Sequence, residues 1–273
     1  MQNELQKADL RANFISITHP TEIGFSIAID ASLSLPDSYV VYTKPATVEL
    51  LYGNSIVTEV RMDAMEISGP VNLLLNSTSV IRDANAFASF TRDLVVNPFI
   101  EVGLRSNLEV VPLSNLFGNL TQCSVIMEKR MVLAGFGGMK PTVKSFNILG
   151  GDESVFQIES SFDVVNPTIF ALDPIGVLSF DLYSSAVHIG KAVSNNSWSI
   201  VPGLNQDLSI LGMIAPSSDK EIAKVAEIMQ DLANSKNITM DATSSPPYSS
   251  EPVYARGLAN ITVEFEITSS LTI

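Results

Sequence analysis

The stretch FSIAIDASLSL, residues 25–35, decides the fold class of this protein. Every odd position from Phe25 to Leu35 is apolar, and serine or aspartate fills most of the positions between them. Successive side chains of a β-strand point to opposite faces, so this period of two predicts a strand with one buried face. Each large apolar side chain that leaves water contributes about 1.5–3 kcal/mol, which outweighs the local propensity for helix.

The same alternation recurs in two later segments, Phe156–Val164 and Ile261–Ile267. Shorter apolar runs bounded by glycine, proline and asparagine predict further strands. These runs are Val48–Tyr52, Val71–Leu75, Ile100–Leu104, Val143–Leu149, Val177–Tyr183 and Leu208–Met213. The chain is therefore predicted to be mostly β.

Two segments show helical spacing instead of alternation. Ser218–Glu221 forms a capping box, and apolar residues then recur at helical spacing to about Asn234. A shorter apolar stripe begins at Asp83, continues to about Leu94 and stops before Asn97-Pro98. The sequence predicts one amphipathic helix at each place.

The predicted elements occur twice in the same order. Leu51-Tyr52 takes the position in the first half that Leu182-Tyr183 takes in the second. Gly135–Pro141 concentrates residues that interrupt strands, so we interpret it as a linker. We therefore predict two tandem antiparallel β-sandwich domains of the immunoglobulin or fibronectin kind, residues 1–138 and 139–273, each with one amphipathic helix.

Charge and hydropathy exclude two classes of function. The chain carries 16 lysine and arginine residues against 29 aspartate and glutamate residues, a formal net charge of −13. This balance argues against binding to nucleic acid or to anionic membrane surfaces. No run of about 18 apolar residues is present, so membrane attachment is expected only through a segment outside this chain.

The residues that enzymes need are scarce. Cys123 is the only cysteine, which excludes an internal disulfide and a zinc cluster of several thiolates. A nucleophilic triad would have to use His19 or His188, and no Gly-x-Ser-x-Gly elbow accompanies them. We therefore predict that the protein is not an enzyme.

Other motifs also favour structural interpretations. The glycines before Pro141 lack the lysine and hydroxyl pair of a phosphate-binding loop. No spacing of carboxylates indicates a catalytic pair or a calcium loop, so neither a cofactor nor a metal ion is expected. Trp198 alternates with serines, which predicts a half-buried strand residue, with an exposed carbohydrate platform as the alternative.

The N-terminal residues do not identify the cellular compartment. They have no apolar stretch behind a basic flank, so they are not a signal peptide. The protein is then either cytosolic or lacks its leader. Asn-x-Ser/Thr triplets are glycan acceptors if the chain enters the secretory lumen. The candidate acceptors are Asn76, Asn119, Asn195, Asn237 and Asn260.

Four segments of the second half resemble the type-2 late embryogenesis abundant (water-stress) domain. They are Val155–Glu159, Val165–Pro167, Gly176–Tyr183 and Val201–Asn205. The first half, with His19-Pro20, the Phe25–Leu35 strand and the Phe87–Leu94 segment, resembles the tandem, fungal-type variant, whose domain is catalogued as of unknown function. It departs from the family in having Leu35-Pro36 where the family has Asn-Pro.

This resemblance implies a seven-stranded antiparallel β-sandwich with one helix in each copy. It also implies no catalysis, an apolar groove between sheet and helix that holds lipid, and attachment to a membrane by a helix that precedes the tandem domains. The expected location is the vacuolar or secretory lumen, or the cell surface.

The leading hypothesis is a non-enzymatic binding module that holds a lipid or other apolar ligand between sheet and helix. Flexible methionine and aromatic side chains suit such a site, although a filled core has the same residues. The candidate lining residues are Phe87, Phe90, Leu94, Val225, Met229 and Leu232. The alternative is a structural or adhesive spacer, or a protein-interaction pair, that presents loops such as Ser244–Glu251, whose adjacent prolines disfavour a strand.

Overall fold

The computed structural model describes residues 9–34, 40–68, 70–112, 123–137, 140–151 and 155–268. Its architecture is mostly β with antiparallel sheets, so the predicted fold class is confirmed. The chain divides into two compact units. Unit 1 comprises the residues up to Phe90, Phe99–Ala134 and Ile169–Leu172; unit 2 comprises Thr91–Pro98, Gly135–Thr168 and the residues from Asp173 onward.

The chain is not divided into the two units at a single point, because two short segments belong to the unit formed mainly by the other half of the chain. Thr91–Pro98 belongs to unit 2, and Ile169–Leu172 belongs to unit 1. Gly138 and Met139, where the predicted domains meet, lie outside the described residues. The boundary between residues 138 and 139 therefore stays a prediction.

Unit 1 is built on nine strands of its own. They are β1 (Asp9–Thr18), β2 (Gly24–Ser34), β3 (Val40–Thr43), β4 (Ala46–Tyr52), β5 (Ser55–Met62), β6 (Met65–Ser68), β7 (Pro70–Val80), β8 (Phe99–Pro112) and β9 (Cys123–Ala134). One sheet contains β1, β2 and β7; the other has the order β5-β4-β8-β3-β6, with β9 also paired to β8. The alternating stretch forms β2, and Phe25, Ile27 and Leu33 are at most 4% exposed.

The two sheets of unit 1 pack face to face. Side chains from both, such as Ile27 and Leu104, border the same gap of about 20 Å³. Helix α1 (Ala84–Val96) begins at Asp83, whose carboxylate accepts the backbone N–H groups of Asn85 and Ala86. These hydrogen bonds lower the pKa of Asp83, the bond from Ala86 most strongly. The helix predicted from Asp83 is therefore present.

Unit 2 contains the remaining strands. They are β10 (Thr142–Gly151), β11 (Phe156–Asn166), β12 (Phe170–Gly176), β13 (Leu178–Ser184), β14 (Val187–Ser194), β15 (Trp198–Ile200), β16 (Gly203–Ile214), β17 (Ile238–Ser249) and β18 (Thr262–Ile267), although the start of β12 belongs to unit 1. Seven of them form one sheet in the order β10-β11-β16-β14-β13-β17-β18. Its two edge strands contact each other, so the sheet is curled around the core.

Two helices accompany this sheet, α2 (Asp219–Ala233) and the short α3 (Pro252–Ala255), which the sequence patterns did not predict. Val225, Ile228 and Leu232 of α2 are buried in one cluster with sheet residues such as Ile158 and Met240. Helix α2 therefore covers the end of the sheet at which β16 finishes and β17 begins.

The expectation that Ser244–Glu251 is a loop was wrong as far as Ser249, because β17 extends to that residue. Ser244 pairs with Phe180 and Ser249 pairs with Leu178, with a register shift between them. Pro246 and Pro247 are exposed in this bulge, where no backbone N–H is needed for the ladder.

The segment interpreted as a linker is packed where it is described. Phe136 is 2% exposed, and its N–H donates to the carbonyl oxygen of Leu94. A Cβ on Gly135 would lie 2.2 Å from the carbonyl oxygen of Asn97, so only glycine allows this close approach. Phe136 therefore satisfies a carbonyl group near the C-terminal end of α1, and Gly135 donates its N–H to the carbonyl oxygen of Pro98.

The capping box of α2 produces a pH-dependent contribution to stability. Ser217 donates its backbone N–H and its hydroxyl to Glu221 Oε2, at 2.6 and 2.9 Å, and the backbone bond is the main cause of the lowered pKa of Glu221. Ser218, the N-cap, accepts the N–H of Glu221 at 3.3 Å. Because the folded pKa lies below the unfolded value of 4.5, this contribution is present above that value and is lost as pH falls through the folded pKa.

We expect Glu221→Gln to flatten the acid limb of the pH–stability profile. The measurement is urea denaturation at several pH values between about 7 and about 3, because linkage ties the slope to proton uptake on unfolding. Glu227→Gln removes an exposed carboxylate in the middle of the same helix and is the matched control. An unchanged acid limb in Glu221→Gln would contradict the assignment.

Candidate functional site

A cavity of about 200 Å³ lies within unit 2, and we call it the unit 2 cavity. Its walls are the inner faces of β11, β13, β16, β17 and β18, with side chains of β12 and β15 and the last turn of α1. Phe162, Ile210 and Phe265 form part of the wall and are at most 5% exposed. The curled sheet thus encloses an apolar space instead of filling it.

Strand alternation and a bulge aim side chains into this space. Phe162 and Val164 of β11 both face inward, although their register against β16 shifts between them. At the shift Asp207 has a φ of 56°, and its N–H donates to Asp163 Oδ1 at 3.3 Å. Bulges re-aim side chains locally, and here the bulge leaves Leu208 and Ile210 of β16 on the cavity wall.

The cavity lies at the end of the sheet away from α2. Next to Met229 and Leu232 of α2 the free space is about 10 Å³. A space of about 10–15 Å³ holds one water molecule, so the α2 end is packed. At the unit 2 cavity, the described helices contribute only Val95 and Val96 of α1 to the wall.

The rim of the cavity is identified by its exposed lining residues. Val96 at the end of α1 is 45% exposed, and Thr262 at the start of β18 is also exposed. Pro141, directly before β10, is half-buried. The cavity therefore opens between the starts of the two edge strands and the last turn of α1.

Few polar groups face the cavity. Ser244 lines it, but its hydroxyl donates to the carbonyl oxygen of Leu258 and accepts the N–H of Ile261. Trp198 is half-buried in β15, as the sequence predicted, and packs against Phe180 with ring centroids 6.3 Å apart. Among the described lining residues there is no carboxylate, amine, imidazole or thiol. The arrangement suits an apolar guest.

The six predicted lining residues lie elsewhere. Phe87, Phe90, Leu94, Val225 and Leu232 are at most 7% exposed, and Met229 is half-buried. The gaps beside them, of about 20 and 10 Å³, are the size of packing defects. None of the six borders the unit 2 cavity, so the candidate site moves from the helix faces to the opposite end of the sheet.

Histidine and cysteine are not clustered in the described residues. His19 Nδ1 lies 3.1 Å from Thr18 Oγ1 in unit 1, and His188 Nε2 lies 3.9 Å from Asp181 Oδ1 in unit 2. Cys123 is half-buried and contacts the carbonyl oxygen of Val110. Over the described ranges no three of the metal-binding residue types come together.

The predicted glycan acceptors are exposed wherever the structure describes them. Asn76 lies in β7, Asn195 follows β14, Asn237 precedes β17, and Asn260 follows the cavity residue Leu258. Asn119 lies outside the described residues. Exposure is required of an acceptor, so four triplets meet this condition. In the part of the chain that the structure describes, no helix is long and apolar enough to span a bilayer.

Comparisons with known proteins give structural similarities only. No protein-family model matches the sequence, and the curated proteins contain no match to it. Among solved structures, the chain is similar to the periplasmic chaperone SfaE at a TM-score of 0.23 and 10% identity, over 94% of this chain and 98% of that one. It is similar to the E. coli chaperone DraB at a TM-score of 0.23 and 12% identity, over 96% and 98%.

A third similarity is to the CupB6 tip adhesin of Pseudomonas aeruginosa, at a TM-score of 0.22 and 10% identity over 96% of this chain and 98% of that one. We draw no functional conclusion from similarities at this level.

Proposed function

We propose that this protein is a non-enzymatic binding module whose second unit holds a small apolar ligand. The observation that carries the proposal is the unit 2 cavity, an apolar space of about 200 Å³ that opens to the surface. An apolar pocket is poorly hydrated, so a ligand displaces little tightly bound water when it enters. The ligand then provides the van der Waals contacts that the side chains lining the empty cavity lack.

The volume limits the size of the guest. An apolar cavity of about 150 Å³ is known to accept benzene. A space of about 200 Å³ therefore suits a single substituted ring or a short alkyl chain rather than a whole long-chain lipid. Each buried methylene contributes about 0.8 kcal/mol, so a chain of seven or eight carbons gains enough to offset part of the cost of association.

We place this module in the lumenal or extracellular part of a membrane-anchored protein. The exposed Asn-x-Ser/Thr triplets support this placement, as does the resemblance of the sequence to tandem late embryogenesis abundant type-2 domains. Mass analysis of glycans on protein secreted from a eukaryotic host tests it. Unmodified asparagines at all of the triplets would count against it.

Trp198 supplies a direct binding assay, because it is the only tryptophan and it lines the cavity. Titration with 1-octanol is expected to change its fluorescence saturably. Native mass spectrometry of the same sample should show a 1:1 complex. A fluorescence change that never saturates, with no complex in the mass spectrum, would refute the proposal.

Filling the cavity should abolish this binding. Ala242 lines the cavity from β17 and is 8% exposed. Ala242→Leu is expected to weaken 1-octanol binding at least about tenfold, because the added carbons occupy the guest's space, while stability stays equal or rises. Ala233→Leu makes the same change on the exposed side of α2 and should leave binding unaltered. Equal affinity of the two variants for 1-octanol would show that the cavity is not the binding site.

A second candidate function is a spacer or protein-interaction module. It is favoured by three neighbouring apolar side chains on the outer face of the unit 2 sheet. Leu211 pairs with Val193, Met213 lies two residues further along β16, and all three are 43–51% exposed. The octanol titration separates the two candidates, because a spacer needs no saturable site.

A further inference from the structure

Arg92 lies beside the wall of the unit 2 cavity. It lies on α1 one helical turn before Val95 and Val96, which line the cavity. Its Nη1 donates a 2.7 Å hydrogen bond to the carbonyl oxygen of Ala259. Ala259 follows Leu258, another cavity residue. The exposed guanidinium therefore lies outside the cavity lining and connects α1 to the segment that follows Leu258.

The charge of Arg92 is not neutralised by this contact. A guanidinium is always charged and has five N–H donors, whereas the carbonyl of Ala259 is neutral and takes one of them. Within the described ranges, no ion pair includes Arg92, and its side chain is exposed. Arg92 is one of only 16 basic residues in a chain with 29 acidic ones, and it lies beside the wall of an apolar cavity.

We propose that the ligand of the unit 2 cavity is an amphipathic anion, whose apolar tail fills the cavity and whose anionic head binds Arg92. This inference rests on the proposed function and adds the chemical class of the ligand. Carboxylate and phosphate oxygens match the fork of N–H donors on arginine. The head remains partly in water at the rim, so it keeps most of its hydration while the tail is buried.

Two probes of equal chain length test the head and the tail separately. Octanoate has the anionic head, 1-octanol lacks it, and Trp198 fluorescence reports both. Arg92→Gln is expected to weaken octanoate binding about fivefold, as for one exposed charge pair, and to leave the octanol affinity within about twofold. Arg92→Lys should restore most of the octanoate affinity, and added salt should weaken octanoate binding only.

Arg61→Gln is the charge-matched control, since it removes an exposed arginine from unit 1. If Arg92→Gln leaves the affinity for octanoate unchanged, or weakens the binding of both probes equally, the inference of an anionic head at Arg92 is wrong. Binding of 1-octanol to the wild-type protein would still support the apolar site. If neither probe binds the wild type, the proposed function itself has failed, and this inference fails with it.

Discussion

Phe90→Ala is expected to lower the free energy of unfolding of unit 1 by about 3–5 kcal/mol. The Phe90 ring is 2% exposed and contacts the rings of Tyr52, Phe87 and Phe170, with centroids 5.8–6.2 Å apart. Truncation removes these contacts and leaves a void that rigid strands on both sheets cannot close. Urea denaturation followed by far-UV circular dichroism measures the loss.

Phe99→Ala is the matched control for this prediction. Phe99 begins β8 in the same unit but is 65% exposed, so its truncation should cost less than about 1 kcal/mol. Similar losses in the two variants would show that the aromatic cluster around Phe90 does not form the core of unit 1.

Leu182→Ala should destabilise unit 2 by about 2–5 kcal/mol. Leu182 is fully buried at the centre of the curled sheet, where β13 pairs with both β14 and β17. Its direct partners on those strands are Gly190, which has no side chain, and Ala242, whose methyl group cannot fill the space that Leu182 leaves. Trp198 fluorescence during urea denaturation follows the unfolding of this unit.

Two further measurements test the prediction for Leu182→Ala, one on a control variant and one on ligand binding. Leu211→Ala truncates a 46% exposed leucine on the outer face of β16 and should cost less than about 1 kcal/mol. Leu182 does not line the cavity, so the folded Leu182→Ala protein should keep its affinity for 1-octanol. A destabilisation below about 1 kcal/mol for Leu182→Ala would mean that the sheet is not packed around this residue.

Local patterns identified about half of the described strands and the two longer helices correctly. The alternation in Phe25–Leu35 became β2 as far as Ser34, and the capping box at Ser218 became the N-terminus of α2. Both signals are reliable because they depend on which residues leave water and on backbone N–H groups that need acceptors. Such requirements are met within one helix or strand, so the residues of that element are enough to predict them.

Signals that depend on a partner element were misinterpreted. The proline pair at Pro246 and Pro247 suggested a loop, whereas a bulge in the pairing with β13 lets β17 continue past them. The close approach of Asn97 to Gly135 was likewise not predicted from the sequence. In each case the local residues permit more than one structure, and a neighbouring strand or helix end selects among them.

The candidate site shows the same limit most clearly. Apolar stripes on α1 and α2 marked Phe87 and Met229 as lining residues, but a stripe looks the same whether its partner fills the space beside it or leaves it open. The alternation of apolar and polar residues identified inward-facing residues such as Phe162. It does not indicate how far the opposite wall of the cavity lies from them.

By itself, then, the sequence determined the β-rich class, the positions of about half of the described strands and the capped helix, because burial period and capping act over a few neighbouring residues. Only the tertiary structure decided that the sheet of unit 2 curls until β10 meets β18, that the space inside stays open at the end away from α2, and that Arg92 on α1 binds the carbonyl oxygen of Ala259 beside that space. These features depend on distances between elements far apart in the chain, which no local pattern encodes.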